Sequence, residues 1–275
     1  MDKTFFFMAG LPRSGSSLLS AILNQNPEIY ASPQTDLLQM MWVLDQNIAS
    51  FESYQAGIKK DDYLHVLRSV GNSFYANQSE PFIIDKNRAW STPGNYNLAK
   101  LLNPNVKIIM PYRPILEILA SFVRLARKYP DTNYIDRSMR ESDFYSLQYR
   151  PIDDARCDWL MRPNGEIDKA IFGLSQVISR PDEMLLVKYD DLVQSPESTM
   201  KQVYEFLDLD PYQHDFNKIK SPDLRSEDAA VFGMPTLHLV RPNLNRTSKE
   251  PQQVLSDYVI NKYADSLAFL ESNAS

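Results

Sequence analysis

The chain has 275 residues, enough to bury a large core without disulfides or structural metals, so we expect one α/β domain over residues 1–275. Its 29 Lys and Arg residues against 35 Asp and Glu residues give a formal net charge of -6. This balance argues against nucleic acid or an anionic membrane as a partner, because both attract basic surfaces. An anionic ligand would need a focused basic pocket.

We infer the compartment from the cysteine and the N-terminal apolar run, and the metal chemistry from the histidines. Cys157 is the single cysteine and cannot form an intrachain disulfide, and the apolar run Phe5–Met8 is too short for a signal sequence or a spanning helix. We therefore expect a cytoplasmic protein. His65, His214 and His238 are scattered, without carboxylates or cysteines at ligand spacing, so we expect no metal site and interpret them as ordinary polar residues.

The pattern near the N-terminus predicts a strand, a polar turn and a helix. The apolar run Thr4–Ala9 precedes the turn Pro12–Ser16, and helical apolar spacing begins at Leu18. We expect this helix to end near Asn26, because a residue that precedes proline is pushed out of the α region. A second strand is predicted over Ile29–Ala31.

Strands and helices continue to alternate through the rest of the chain. In order, we predict a helix from a Thr35 cap that buries Leu38, Met41 and Trp42, a helix over Lys60–Tyr75, a strand over Pro81–Asp85, a helix over Tyr96–Leu102, a strand over Val106–Tyr112, a helix opened by Pro114, a strand over Met184–Tyr189, and helices over Pro196–Leu207 and Pro251–Leu270. This alternation predicts a doubly wound sheet with ligands at the carboxyl ends of its strands.

The segment 129–163 interrupts this alternation. Its periodicity is poor and it is rich in charged and aromatic residues, so we predict a substrate-side insertion or cap. Its aromatic side chains could stack on a sugar or a phenol, or could pack the cap onto the domain. They are Tyr134, Phe144, Tyr145, Tyr149 and Trp159.

The run Gly10–Ser17 has the glycine spacing of a phosphate-binding loop, with Ser16 where the usual lysine stands. A glycine turn that leads into a helix presents backbone N–H groups and the positive end of the helix dipole to an anion. Ser14, Ser16 and Ser17 add hydroxyl donors, and Arg13 supplies a positive charge. The alternative interpretation is a serine-rich turn that only caps a helix.

The missing lysine bears on the choice of nucleotide. In ATP-binding and GTP-binding loops that lysine reaches the terminal phosphates, and a strand-end aspartate helps to hold Mg²⁺. Here the strand Val106–Tyr112 is followed by Arg113, whose planar fork suits a phosphate rather than a metal. Ser121 follows eight residues later on the next predicted helix. The pair indicates a second phosphate site.

Together these features resemble the family of sulfotransferases that use 3′-phosphoadenosine 5′-phosphosulfate (PAPS). The run Leu11–Ser17 is similar to the family's loop for the 5′-phosphosulfate, with Arg13 at the place of its basic residue. Arg113 and Ser121 match the family's motif for the 3′-phosphate. Within the family the nearest likeness is to tyrosylprotein sulfotransferases. The resemblance implies a P-loop-like three-layer α/β/α fold, with a central, mainly parallel sheet flanked by helices.

Further matches lie at later strand ends. Lys86, in the pair Asp85-Lys86, resembles the family's central lysine, Tyr189 lies in a run similar to the family's strand before a tyrosine near the nucleotide, and Arg241 resembles a basic residue that closes over the cofactor. The resemblance implies Arg13 and Lys86 as catalytic residues. The residues implied for binding PAPS are Arg13, Ser14, Gly15, Ser16, Ser17, Arg113, Ser121, Tyr189 and Arg241.

The implied reaction is in-line transfer of a sulfuryl group from PAPS, as co-substrate and without a metal, to a hydroxyl of a glycan, a tyrosine peptide or a small alcohol or phenol. The general base is open, because the family positions hold Gln34 and Arg88. We take Asp36 as the base, with Asp85 as a second candidate, although Asp36 could equally be a first-turn acid that favours a helix dipole.

Two other functions remain open. A P-loop nucleotide kinase or NTPase is favoured by the glycine spacing and opposed by Ser16. A nucleotide-binding, non-catalytic homologue is suggested by Gln34 and Arg88 at the positions of the family's bases.

Overall fold

The computed structural model describes residues 3–58, 60–142, 151–244 and 250–271. Five strands within these ranges form one sheet, in the order β2-β3-β1-β4-β5, and every neighbouring pair is parallel. The strands are β1 (Thr4–Met8), β2 (Ile29–Gln34), β3 (Phe82–Lys86), β4 (Ile108–Tyr112) and β5 (Met184–Lys188). All five predicted strands are confirmed, and their apolar composition is typical of parallel strands covered on both faces.

Helices cover both faces of the sheet, and no helix in the described parts of the chain is long and apolar enough to span a membrane. The helices are α1 (Ser16–Leu23), α2 (Leu37–Ile48), α3 (Glu52–Gln55), α4 (Lys60–Phe74), α5 (Pro93–Leu102), α6 (Ile115–Lys128), α7 (Tyr134–Glu141), α8 (Ile152–Leu160), α9 (Glu166–Ser175), α10 (Tyr189–Gln194), α11 (Pro196–Leu207), α12 (Arg225–Phe232), α13 (Asp257–Tyr263) and α14 (Ala268–Glu271).

The side chains of β1 alternate between two hydrophobic cores. Phe5 and Phe7 point into the core shared with α2, α5 and α6, whereas Phe6 and Met8 point into the core shared with α1 and α11. This period of two follows from the pleat of a strand, which sends successive side chains to opposite faces. The predicted three-layer α/β/α fold with a central parallel sheet flanked by helices is confirmed.

The beginning of α2 differs from the prediction. Asp36, not Thr35, occupies the N-cap position, and its side chain makes no capping hydrogen bond. The hydroxyl of Thr35 donates instead to the buried carboxylate of Asp85 at 2.6 Å. Leu38 is buried as expected, but Trp42 is 45% exposed. The buried side of the helix centres on Leu37, Met41 and Ile48, and Trp42 lies at the edge of that side.

The predicted helix over Pro251–Leu270 is wrong as a single element. A 3₁₀ turn over Pro251–Gln253 comes first, and α13 and α14 follow as separate helices. The hydroxyl of Ser256 caps α13 by accepting from the backbone N–H of Val259 at 3.3 Å, so a new helix begins there.

The segment 129–163 contributes helices to the main domain in its described part. Helix α8 packs against α6, α7 and α13, and the buried guanidinium of Arg156 pairs with Asp136 on α7 at 2.5 Å. Residues 143–150, which include Phe144, Tyr145 and Tyr149, lie outside the described residues. The role of this segment as a substrate-side cap stays a prediction.

We expect Phe7→Ala to lower the free energy of unfolding by about 3–5 kcal/mol, because a fully buried aromatic ring leaves a cavity when it is removed. Phe7 is 0% exposed, and its ring centroid lies 4.6 Å from that of Trp90. Urea denaturation measures the change. Phe172→Ala is the matched control, since Phe172 is 53% exposed, and we expect it to change stability by only about 0.5 kcal/mol. Equal losses in the two variants would contradict the assignment of the core.

Candidate active site

A cavity of about 450 Å³ opens at the edge of the sheet where the parallel strands end. Its wall includes the loop after β1, Lys86 at the end of β3, Arg113 after β4 and Tyr189 after β5. This edge is where open α/β sheets bind their ligands. Pockets for small-molecule ligands commonly measure roughly 300–1,000 Å³, so the cavity has an ordinary size for such a site.

The loop after β1 leads directly into α1, as predicted. Gly15 is the N-cap residue and has a φ of 93°, a conformation that glycine adopts without strain. A Cβ at this position would lie 2.7 Å from Cδ2 of Tyr189, so glycine also allows the tyrosine ring to pack against the loop. Ser16 and Ser17 begin the helix and line the cavity. The N-terminus of α1 is therefore open to an anion.

Arg13 connects the loop to the opposite wall of the cavity. Its Nε donates to Oγ of Ser121 at 3.2 Å, and its Nη1 donates to the backbone carbonyl of Leu237. Burial and, to a smaller extent, the positive charge of Arg113 lower the pKa of Arg13 to about 10. Its own φ is 58°, in the left-handed region that few non-glycine residues adopt and that is often found at functional sites. The two predicted phosphate motifs therefore meet in one cavity.

Arg113 is held in a fixed orientation. Its guanidinium lies over the ring of Tyr189, 4.4 Å from the centroid, which is a cation–π contact. Its Nε donates to Oε2 of Glu117 at 2.8 Å, and its Nη2 lies 2.7 Å from the same oxygen. Glu117 lies in the first turn of α6, four residues after Arg113, so its carboxylate stabilises the buried cation.

Lys86 brings a second kind of cation to the cavity. Its side chain is largely buried, and its Nζ donates to Oγ of Ser17 at 3.4 Å. Burial and the charge of Arg88 lower the pKa of Lys86 to about 8, although Asp85 acts in the opposite direction. An anion next to Nζ would favour the charged form.

Asp85 supports the end of β3 from inside the core. Its carboxylate accepts from the hydroxyl of Thr35 at 2.6 Å, from the hydroxyl of Tyr75, and from Nε1 of Trp90 at 2.7 Å. Burial raises its pKa, against the effect of these donors and of Lys86. Asp85 is 0% exposed and does not line the cavity, so its contacts are structural.

Two further sequence-predicted residues do not line the cavity. Ser14 is buried, and its hydroxyl lies 2.5 Å from the carbonyl oxygen of Leu11 and 2.8 Å from that of Pro111, so it ties the loop to β4. Asp36 is exposed at the start of α2. The cavity does contain Gln34, Arg88 and Arg241, together with the other predicted residues.

Arg124 is a cavity residue that the sequence interpretation missed. It lies on α6, three residues after Ser121, and so on the same side of the helix. Its Nη1 is buried and has no hydrogen-bond partner among the described residues. Burial and the charge of Arg113 lower its pKa. The spacing from Ser121 is the signal that could have identified it.

Another part of the cavity wall contains Tyr134, which the sequence suggested as a contact for a sugar or phenol, and Glu166, which the sequence interpretation missed. The hydroxyl of Tyr134 donates to Oε2 of Glu166 at 3.2 Å, and Nη1 of Arg88 lies 3.5 Å from the same oxygen. Burial raises the pKa of Tyr134. His238, which was interpreted as an ordinary polar residue, also lines the cavity. Nothing in the local sequence marks Glu166 and His238 as cavity residues, because only the fold brings them there.

Potential metal ligands are not clustered around the cavity. In the described ranges there is no group of three or more His, Cys, Asp or Glu side chains that could hold a metal ion.

A model of the sulfotransferase family matches residues 6–214. The chain belongs to the sulfotransferase family. This match confirms the resemblance seen in the loop and in the Arg113 motif.

Two curated relatives are similar to this member of the family. A putative protein-tyrosine sulfotransferase of Caenorhabditis briggsae is 25% identical over 212 residues, which cover 75% of this chain and 66% of the relative. Protein-tyrosine sulfotransferase 1 of Danio rerio is 22% identical over 210 residues, which cover 76% of this chain and 54% of the relative. The chain therefore spans less than two thirds of the length of either relative.

Solved structures share the fold of this sulfotransferase family member. The sulfotransferase domain from the curacin biosynthetic pathway superposes with a TM-score of 0.54 at 16% identity, covering 95% of this chain and 97% of that one. A sulfotransferase from Alicyclobacillus acidocaldarius superposes with a TM-score of 0.50 at 17% identity, covering 87% and 94%. At these identities the likeness concerns the fold alone.

We expect Nζ of Lys86 to titrate at about pH 8, because its charged form is poorly solvated in the cavity wall. Arg88→Gln should raise this pKa, since it removes a neighbouring positive charge. NMR of reductively ¹³C-methylated protein measures both values, and a Lys86→Arg variant assigns the signal. A wild-type titration at the ordinary lysine value of 10.5 would contradict the burial of this amine.

Proposed function

We propose that the protein transfers a sulfuryl group from PAPS to an acceptor hydroxyl. The observation that carries this proposal is the meeting of two groups of anion-binding donors in one cavity, joined by the 3.2 Å hydrogen bond from Arg13 to Ser121. One group is the loop with the start of α1, and the other is Arg113 with its neighbours on α6. Two sites for anionic groups a short distance apart suit a nucleotide with phosphates on both sides of its ribose.

The second group of donors fits the 3′-phosphate. Ser121 offers a hydroxyl, and Arg113 is oriented by Glu117 and Tyr189. The Nη1 of Arg124 is a buried cationic donor without a partner in the described chain, a costly arrangement that an anionic ligand would relieve. These donors support a site for a phosphate that ATP and 5′-AMP do not carry.

The first group of donors fits the 5′-phosphosulfate. The N–H groups at the start of α1, together with the hydroxyls of Ser16 and Ser17, face the cavity. Lys86 lies beside Ser17, and Arg13 lies between the two groups. Tyr189 packs against the loop and would support the ribose side of the same ligand, and Arg241 lies on the cavity rim.

The chemistry that these residues would perform is charge stabilisation. In the proposed step the acceptor oxygen attacks sulfur in line with the 5′-phosphate oxygen, whose bond to sulfur breaks, by analogy with phosphoryl transfer. Negative charge then collects on the leaving 5′-phosphate. Arg13, Lys86 and the N–H groups of the loop are preorganised donors for that charge, a large contribution in enzymes of this kind.

The acceptor is proposed to be a hydroxyl of a tyrosine peptide, a glycan or a small alcohol or phenol. The two curated relatives are named as protein-tyrosine sulfotransferases, which makes a tyrosine peptide the first acceptor to test. The wall formed by Arg88, Tyr134 and Glu166 carries both charged and aromatic groups that could contact such an acceptor.

We expect the protein to bind adenosine 3′,5′-bisphosphate far more tightly than 5′-AMP in calorimetry, since the proposed partner of the α6 donors is the 3′-phosphate. Arg124→Gln should weaken binding of the bisphosphate by about 10- to 100-fold, the usual value of a hydrogen bond to a charged group, and leave 5′-AMP unaffected. Arg127→Gln is the control, because Arg127 lies on the same helix but pairs with Asp153 at 2.8 Å. Equal affinities of the two nucleotides for the wild type would remove the 3′-phosphate site.

We expect Lys86→Ala to lower kcat by roughly two to three orders of magnitude, because one donor to a developing oxyanion contributes about 3–4 kcal/mol. Transfer from ³⁵S-labelled PAPS to tyrosine peptides, glycans and small phenols measures the rate. Lys201→Ala is the control, since the side chain of Lys201 is 73% exposed on α11. Tight nucleotide binding without transfer to any acceptor would favour a non-catalytic homologue, and Mg²⁺-dependent ATP turnover would favour a kinase or NTPase.

A further inference from the structure

His238 lies in the cavity wall and has a carboxylate behind it. Its ring Nδ1 lies 2.6 Å from Oδ1 of Asp228, and its backbone N–H donates to Oδ2 of the same carboxylate at 2.8 Å. The Asp228 side chain is 4% exposed and that of His238 is 18% exposed. One buried carboxylate therefore fixes both the main chain and the ring of this residue.

The segment that carries His238 is anchored to the main domain. Helix α12 ends at Gly233, whose φ is 63°, and a Cβ there would overlap the backbone carbonyl of Thr132. The hydroxyl of Thr132 donates to the carbonyl of Gly233 at 2.7 Å, and the hydroxyls of Tyr129 and Thr236 lie 3.0 Å apart. The ring is thus held in place before any ligand binds, as a catalytic group needs to be.

Asp228 selects the tautomer of the neutral ring. A carboxylate oxygen accepts, so Nδ1 carries the proton and donates it to Asp228, and Nε2 keeps its lone pair. In this form Nε2 cannot donate to a phosphate or a sulfuryl oxygen, but it can accept a proton. We propose that His238 is the general base that removes the proton of the acceptor hydroxyl, and that Asp228 is its positioning residue.

The surroundings of the ring favour its neutral form. Burial lowers the pKa of His238, and the positive charges of Lys86 and Arg13 lower it further, while Asp228 raises it through its hydrogen bond and its charge. The ring of Phe232 also packs against it, with the two centroids 5.6 Å apart. With its pKa below the ordinary 6.5, the ring is neutral at pH 7.

The acceptor O–H gives its proton to Nε2 of His238 as its oxygen forms the bond to sulfur. The bond between sulfur and the 5′-phosphate oxygen breaks, and its electron pair remains on adenosine 3′,5′-bisphosphate. The imidazolium, stabilised by Asp228, later releases the proton to solvent.

The carboxylates near the cavity are less suited to this role. Asp36 is exposed and does not line the cavity, and Asp85 is committed to three donors in the core. Glu166 does line it, but its Oε2 already accepts from Tyr134 and pairs with Arg88. In His238, by contrast, the partner Asp228 binds Nδ1 and leaves Nε2 available.

This inference rests on the proposed sulfuryl transfer. It is tested by comparing acceptors whose hydroxyl is protonated with an acceptor that is already ionised. We expect His238→Gln to lower kcat about 10²- to 10⁴-fold with a tyrosine peptide or 4-methylphenol, whose proton must be removed. With 4-nitrophenol at a pH where it is already ionised, the loss should be less than about tenfold, because no base is needed. A merely structural role would lower both rates equally, and that result would overturn the inference.

The pH profile gives a second readout. The acid limb of kcat/KM for the wild type should lie below pH 6.5, the ordinary imidazole value, and should disappear in His238→Gln. Asp228→Asn should lower kcat by up to about 10⁴-fold, as replacing the aspartate behind the base histidine of a Ser-His-Asp triad does. His65→Gln, on the exposed face of α4, is the control and should change neither rate nor profile.

Calorimetry with adenosine 3′,5′-bisphosphate distinguishes the loss of a catalytic group from the loss of folding or of nucleotide binding. Unchanged affinity in His238→Gln and Asp228→Asn, with unchanged thermal melts, shows that the variants fold and keep the nucleotide site. If the wild type transfers sulfate and His238→Gln does so equally well, the inference is wrong and the proposed function stands. If the wild type transfers sulfate to no acceptor, both are overturned.

Discussion

The mutual repulsion of several cations in one partly buried cavity is the constraint on which this site depends. Arg13, Lys86 and Arg124 all have lowered pKa values because of burial, and each is further lowered by a neighbouring cation. Such an arrangement is unfavourable unless counter-charges or ligands offset it. The whole chain has a formal charge of -6, so the positive potential is a local product of the fold, concentrated where five parallel strands end. An anion that enters the cavity is attracted by all of these cations at once.

Acidic side chains and an aromatic ring in the surrounding protein stabilise this cluster of cations. Glu117 holds Arg113 from within α6, and the ring of Tyr189 lies under the same guanidinium. Asp85 stabilises the end of β3 through three donors in the core. These partners fix the cations from the protein side, so the groups that face the cavity need little reorganisation when charge develops there.

The sequence predicts what is local and misses what is tertiary. Short apolar runs predicted the strands, and the glycine spacing of Gly10–Ser17 located the turn before α1, because each depends on neighbouring residues. Trp42 was misplaced because amphipathic spacing alone does not tell which side of a helix meets the sheet. The pairing of His238 with Asp228 could not be found by spacing rules, since it depends on the turn after Gly233 and on its contacts with Thr132.

The same cations connect the proposed nucleotide site with the proposed base, His238. Lys86 and Arg13, proposed to hold the leaving group, also lower the pKa of His238. When an anionic nucleotide offsets their charge, this repulsion falls, and the pKa of the imidazole rises toward its ordinary value. A base with a higher pKa accepts a proton more readily, as long as it remains neutral at the working pH. Binding of the nucleotide would therefore strengthen the proposed base at the time the acceptor is attacked, and the empty cavity would keep it weak.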